Sequence, residues 1–302
     1  SGCGSSVSTP ADVYRAPLAM RCTLAFLVGA AGHGHMVETW TKPPVPAGVT
    51  VKQHNLTFGE ETFVCHVAMP GDGTAVGTKG ALVFPQWMGL THYEEWRAEE
   101  LAAMGYHAIA VDLYGDGLLC NGNMTCSGAN AGKVRTDNAR TNGIVNEALK
   151  ALAGMAPADK LVAMGYCLGG SVALELARHP NAGASAGYTL AAVSSFHGGL
   201  DPISTVAAEG SLATDVQVHH AELERGESHV ILRTWEDEFI KAANGTTKKW
   251  QSFKYSHCEH GWTEPGTDIY RPRESVRAHT ATYQFFEHSL GSDAHIAPVC
   301  MT

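Results

Sequence analysis

Three reactive residue types stand in this chain in an order that suits nucleophilic catalysis. In Gly165-Tyr166-Cys167-Leu168-Gly169-Gly170 a cysteine follows the apolar run Lys160 to Met164 and precedes the amphipathic stretch Ser171 to His179, so it occupies a strand-to-helix corner. Such a corner is a nucleophile elbow: the turn is tight enough to need small residues two before and two after the nucleophile, and it lifts the side chain above the sheet. The positive end of the following helix favours thiolate over thiol. A thiol nucleophile then needs a base for its proton and a carboxylate to hold that base, in the chain order nucleophile, carboxylate, histidine. The carboxylate is expected after the strand Asp215 to His219, where His220-Ala221-Glu222-Leu223-Glu224 offers two glutamates. Counted forward from that strand the position falls on Leu223, and counted back from the helix around Trp235 to Phe239 it falls on Glu224. A one-residue insertion favours Glu224, with Glu222 as the second candidate. The base is expected to be His260, in Ser256-His257-Cys258-Glu259-His260-Gly261-Trp262, where the loop leaving the last strand turns back over the elbow.

Competing readings of the same residues are weaker. With 33 glycines, a second match of the same spacing, Gly183-Ala184-Ser185-Ala186-Gly187, is no surprise, and Ser185 lies in loop-to-strand order, the reverse of an elbow. The four residues His257, Cys258, Glu259 and His260 invite a zinc reading, but crowded into one loop they supply at most two comfortable ligands, with no partner cluster elsewhere. No metal is expected there, and His33-Gly34-His35 sits beside an expected cleavage site. Cys167 as a small buried hydrophobe is the plain alternative for a free cysteine.

The elements that must position these residues alternate in kind. Val49 to Phe58 and Thr62 to Ala68 read as a hairpin about Gly59-Glu60, and Gly80 to Phe84 and Ala108 to Asp112 as buried strands flanking a helix from Tyr93 to Met104. A glycine-rich loop is expected from Tyr114 to Lys133, then a helix from Thr136 to Leu152. Beyond the elbow come strands at Leu190 to Phe196, Asp215 to His219 and Trp250 to Tyr255, with helices at Val230 to Ala243 and Arg273 to Leu290. This beat predicts an α/β protein with a mostly parallel sheet flanked by helices, an antiparallel N-terminal hairpin, and ligands beyond the carboxyl ends of the strands. A chain of 302 residues with 44% hydrophobic residues fits one such domain, expected over 36–302 behind a lead of 1–35. Its net charge of −9 is spread without a basic cluster, which argues against nucleic acid. No phosphate-binding glycine loop is found, so no cofactor is expected. Nothing in the residues speaks to the oligomeric state.

Met20-Arg21 followed by the apolar run Cys22 to Ala31 has the grammar of a secretory signal and is too short to span a bilayer. The alternative is a buried first helix in a cytoplasmic protein. Asn55-Leu56-Thr57, Asn123-Met124-Thr125 and Asn244-Gly245-Thr246 are glycosylation acceptors, and Cys120 and Cys126 are close enough to close a small loop by disulfide. Together these predict a secreted or endomembrane glycoprotein.

The motifs Asp112-Leu113-Tyr114-Gly115, Gly165 to Gly170, Ser195-Phe196-His197-Gly198-Gly199-Leu200-Asp201 and His260-Gly261-Trp262-Thr263 resemble the dienelactone hydrolase family of α/β hydrolases over roughly Val49 to Leu290. The resemblance implies Cys167 as nucleophile, His260 as base, the amides of Leu168 and Trp87 as oxyanion hole, and Gln86, Tyr114, Asp116, Trp262 and Glu264 around the substrate. Three departures from the pattern bear on the substrate. Gln86 stands where members acting on dienelactone carry a glutamate near the thiol, and a carboxamide can hydrogen-bond a thiol but not accept its proton. Asp116 and Glu264 stand where those members hold the substrate carboxylate with arginines, so an anionic lactone should be repelled and dienelactone itself is not the expected substrate. The acid loop offers glutamate in place of the usual aspartate. The expected activity is hydrolysis of a small-molecule ester, lactone or thioester, weighed against a non-catalytic binding or scaffold protein that keeps the fold.

Overall fold

The computed structural model describes residues 40–180, 187–224 and 228–292. The expected signal segment, the His33 and His35 pair and Ser185 lie outside the described residues. Eight strands form one sheet in the order β1-β2-β4-β3-β5-β6-β7-β8. β1 (Val49–Phe58) and β2 (Glu61–Pro70) form the hairpin, closed through Gly59 at φ +62°. β2 pairs antiparallel with β4 (His107–Ala110), and from there every neighbour is parallel: β3 (Gly80–Phe84), β5 (Leu161–Tyr166), β6 (Ala192–Phe196), β7 (Asp215–Leu223) and β8 (Trp250–Glu259).

The fully buried runs of β3, β4, β5 and β6 follow from helices on both faces, which leave no position for a polar side chain in contact with water. On one face Leu82, Phe84, Ile109 and Ala163 join a core with α2 (Met124–Thr136), α3 (Asn138–Ala153), α4 (Leu168–Arg178) and α5 (Ser228–Ala242). On the other, Ala81, Val83 and Val162 pack with Tyr93 and Leu101 of α1 (His92–Ala103) and with Tyr283 and Phe286 of α6 (Pro272–Ser289). The alternation of Ala81 and Val83 against Leu82 and Phe84 is the two-residue period of a strand serving two cores.

The region expected as a loop from Tyr114 to Lys133 is half helix. α2 begins after Asn123, whose Oδ1 accepts the N–H groups of Thr125 and Cys126 at 3.1 Å each, and a Cys120–Cys126 disulfide ties the approach to the first turn. Gly128 and Gly132 lower its propensity and hid it, but Ser127, Ala131 and Val134 face the core at spacings of four and three. Asp137 separates it from α3 and caps α3 by accepting from the N–H of Arg140. Among the described residues no helix is long and apolar enough to cross a membrane.

Candidate active site

Cys167 sits between β5 and α4 with φ +51° and ψ −112°, a backbone conformation that survives only where the surroundings impose it. They do so from three sides. Its N–H donates to Phe196 O at 3.0 Å, the N–H of Gly169 donates to Pro85 O at 2.9 Å, and a Cβ added at Gly165 would overlap the carbonyl of Gly169. The cysteine side chain is left half-buried above the sheet. Leu168 is the first residue of α4, so its N–H has no intrahelical acceptor. Trp87 follows Pro85 by two residues on the segment that touches this helix start, and its carbonyl accepts from Tyr114 Oη at 2.7 Å. The turn behind Tyr114 is built on buried Asp112, whose carboxylate accepts the N–H groups of Tyr114, Gly115, Gly117 and Val64. The disulfide loop leans on the same segment through Cys120 N–H to Met88 O at 2.9 Å. Burial holds the Tyr114 phenol above its ordinary range, and the charge of the Cys167 sulfur adds to this.

Glu224 and His260 leave the ends of the adjacent parallel strands β7 and β8. The register pairs Ala221 with Tyr255 and Leu223 with Glu259, so one residue of β7 opposes three of β8 at an irregularity. That irregularity sends the two glutamates to different neighbours. Glu222 is absorbed by it, accepting from Ser256 Oγ at 2.9 Å and His257 N–H at 2.8 Å, bonds that hold its carboxyl below the usual range. Glu224 lies beyond it and meets His260 Nδ1 with both oxygens, at 2.9 and 2.8 Å. His260 Nε2 lies 3.0 Å from Cys167 Sγ. Burial alone would lower the His260 pKa, but the hydrogen bonds and charges of Cys167 and Glu224 outweigh it and raise the pKa to about 10. Of the two candidate glutamates, Glu222 is thus held at the bulge and Glu224 meets the histidine.

The expected pocket residues divide. Gln86 is buried, its N–H donates to Glu94 Oε1 at 3.1 Å, and its side chain hydrogen-bonds Glu264. Burial raises the Glu264 carboxyl, with the Gln86 bond opposing. Glu94 is fully buried and pushed up to about 7 by burial, against hydrogen bonds from Thr91 and Gln86. Asp116 is a different case: it is exposed at φ +53°, with its N–H on Thr62 O at 2.8 Å. Among the described residues no hydrogen bond or ion pair joins it to Cys167, His260 or Glu264. Trp262, expected beside the substrate, has no exposed surface and instead packs beneath the histidine loop, 4.5 Å from the Tyr255 ring. Two residues near the site were not singled out from the sequence. Glu94 had a readable signal in the capping box Thr91 to Glu94, and His197 lies in a quoted motif but had no role assigned.

The zinc reading of the histidine loop finds no support in its layout. His257 and Glu259 are exposed, Cys258 is buried and His260 is turned to the sulfur. Among the described residues no group of three or more His, Cys, Asp or Glu side chains is arranged to hold a metal.

Residues 67–290 match the profile of the dienelactone hydrolase family. The solved structure m3DLH is 28% identical with a TM-score of 0.70, covering 80% of this chain and 99% of that one. A dienelactone hydrolase-like promiscuous phosphotriesterase, P91 from metagenomic libraries, is 25% identical with a TM-score of 0.69 over the same shares, 80% and 99%. An uncharacterized protein of Caenorhabditis elegans is 32% identical over 120 residues, 39% of this chain and 70% of that protein.

Proposed function

The chain belongs to the dienelactone hydrolase family, and from that premise we propose that it hydrolyses a carboxylic ester, lactone or thioester through the thiolate of Cys167. The observation that carries this reading is the unbroken line from Sγ to His260 Nε2 at 3.0 Å and from Nδ1 to the Glu224 carboxylate at 2.8 Å. With its pKa raised to about 10, His260 is protonated at neutral pH and enters the reaction as an acid beside the sulfur. The sulfur attacks the carbonyl carbon, the carbonyl electron pair moves onto oxygen, and the N–H groups of Leu168 and Trp87 hold that oxyanion. Collapse expels the alkoxide, which takes the proton from Nε2, leaving a thioester on Cys167 and a neutral imidazole. Once sulfur is acylated its charge no longer raises the His260 pKa. The neutral ring can then take a proton from water as the water attacks the thioester, and release of the acid restores the ion pair.

A panel of nitrophenyl esters, lactones and thioesters, run with wild type and Cys167→Ala, tests the reading. Turnover that the variant retains in full contradicts it. Aryl phosphotriesters belong in the same panel because of the likeness to P91.

Within this reading Glu264 disfavours anionic acyl groups. At an effective dielectric of about 20, a full charge roughly 6 Å from a substrate carboxylate contributes about 3 kcal/mol before screening. Glu264→Arg should raise the ratio of anionic to neutral ester turnover by about tenfold or more, allowing for that screening. Asp116→Arg should change the ratio by less than about threefold, because an exposed charge is screened. An unchanged ratio in Glu264→Arg places that carboxyl outside the acyl site.

We also infer a secretory location. Its support is the disulfide and the exposure of all three acceptor asparagines, Asn55, Asn123 and Asn244. Expression from Met20 in a eukaryotic host should give a product cleaved near Ala30-Ala31-Gly32 that shifts in mass on treatment with an N-glycosidase. An unglycosylated product that keeps its N-terminus rejects this location.

A further inference from the structure

We propose that His197 is a positioning residue for the thiol and imidazole pair, a side chain whose turn touches both the elbow and the histidine loop. It rests on the thiol mechanism above and adds a residue to it. His197 follows β6 with φ +40°, and it is buried. On the elbow side, the preceding carbonyl, Phe196 O, accepts the Cys167 N–H at 3.0 Å. The next residue, Gly198, lies so close to α4 that a Cβ on Gly170 would stand 2.8 Å from Gly198 Cα. On the histidine side, His197 Nε2 meets Thr263 Oγ1 at 2.8 Å, three residues after His260. Its ring also stands edge-on to the His260 ring at 5.2 Å with a 67° interplanar angle.

A left-handed backbone on a residue other than glycine persists where neighbours over-determine it. Here the N–H of His197 donates to His219 O at 2.8 Å, which fixes the turn from β7 as well. The consequence is mechanical: the Sγ to Nε2 separation of 3.0 Å is set through one short segment rather than through the flexible ends of two loops. Misplacement of a reacting group by about 1 Å costs roughly 100-fold in rate.

The ring's charge state suits this place. The titratable groups facing it are His260 from the loop after β8, His219 on β7, His279 on α6 and Tyr166 on β5, whose ring lies 6.1 Å away. Burial, and after it the charge of His260, holds the His197 pKa well below its ordinary value, so the ring beside the catalytic imidazolium stays neutral.

His197→Asn is the informative variant because asparagine tolerates the left-handed backbone while removing the ring. Thr263→Val and Thr263→Ser test the hydrogen bond without altering the turn. His197→Asn should lower kcat by roughly 10- to 100-fold with KM within about threefold. It should also move the pH midpoint of iodoacetamide labelling at Cys167 upward by about one unit. Thr263→Val should shift both in the same direction by less, and Thr263→Ser should return them to wild type. Thermal unfolding measured beside each assay separates positioning from loss of folded protein. Wild-type kcat and labelling profile in folded His197→Asn overturn the proposal, as does a fall in activity that tracks only the unfolded fraction. Full turnover in Cys167→Ala is the separate outcome that removes the thiol mechanism itself.

Discussion

Replacing Cys167 by alanine is expected to lower kcat/KM for an activated ester by roughly 10⁴-fold or more, because it removes the group that forms the covalent intermediate. What survives is the oxyanion pair and substrate binding, which act without the sulfur. His260→Ala should fall about as far, and the double variant little further, since members of one catalytic unit fail non-additively. The fold should persist in Cys167→Ala: the elbow is held by backbone bonds and close glycine contacts, and the side chain itself is only half-buried. The His260 variant carries a pH signature in its stability. Because the folded His260 pKa is raised from its ordinary 6.5 to about 10, the stabilisation carried by the protonated ring is present in full below about pH 6.5 and fades as pH rises through 10. The difference in unfolding temperature between wild type and His260→Ala should therefore shrink as the buffer becomes alkaline.

Glu224→Gln should cost roughly 10²- to 10⁴-fold in kcat, the range expected when a triad carboxylate becomes an amide. A carboxamide no longer stabilises the imidazolium, and its N–H₂ end can turn the ring to the wrong tautomer. Glu222→Gln should remain within about threefold of wild type, because that side chain braces Ser256 and His257 at the surface, away from the sulfur. Steady-state kinetics of the two variants on one nitrophenyl ester decide the matter. The opposite ranking would move the acid role to Glu222.

The sheet and the elbow were legible in the sequence because both follow from local rules. Uniform apolar runs at Gly80 to Phe84 and Lys160 to Met164 mark strands covered on both faces, and the glycines around Cys167 mark a turn that admits no side chain. Which glutamate meets the histidine was not legible, since that depends on how β7 and β8 slip past one another between Ala221 and Leu223, a register that neither strand encodes alone. α2 was obscured by two glycines and was fixed by a cap and a disulfide. The exposure of Asp116 and the burial of Trp262 were illegible for a related reason: alignment with a motif gives order along a loop, not direction. Asp116 turns out to solvent beside the hairpin, and Trp262 turns in to the core. His197 escaped notice because a histidine ending a buried strand looks like a satisfied core residue until its neighbours across the sheet are known.

The most direct test of the account is to catch the acyl group on sulfur. Wild-type protein mixed with nitrophenyl acetate, quenched in acid within the first turnover, and analysed by intact mass and peptide mapping should carry one acetyl group on the peptide containing Cys167. The adduct should be released by hydroxylamine and absent from Cys167→Ala. Burst release of nitrophenol in step with acetyl incorporation would agree with the thioester route. Rapid turnover with no acetyl on Cys167, or with the label on another residue, would contradict it.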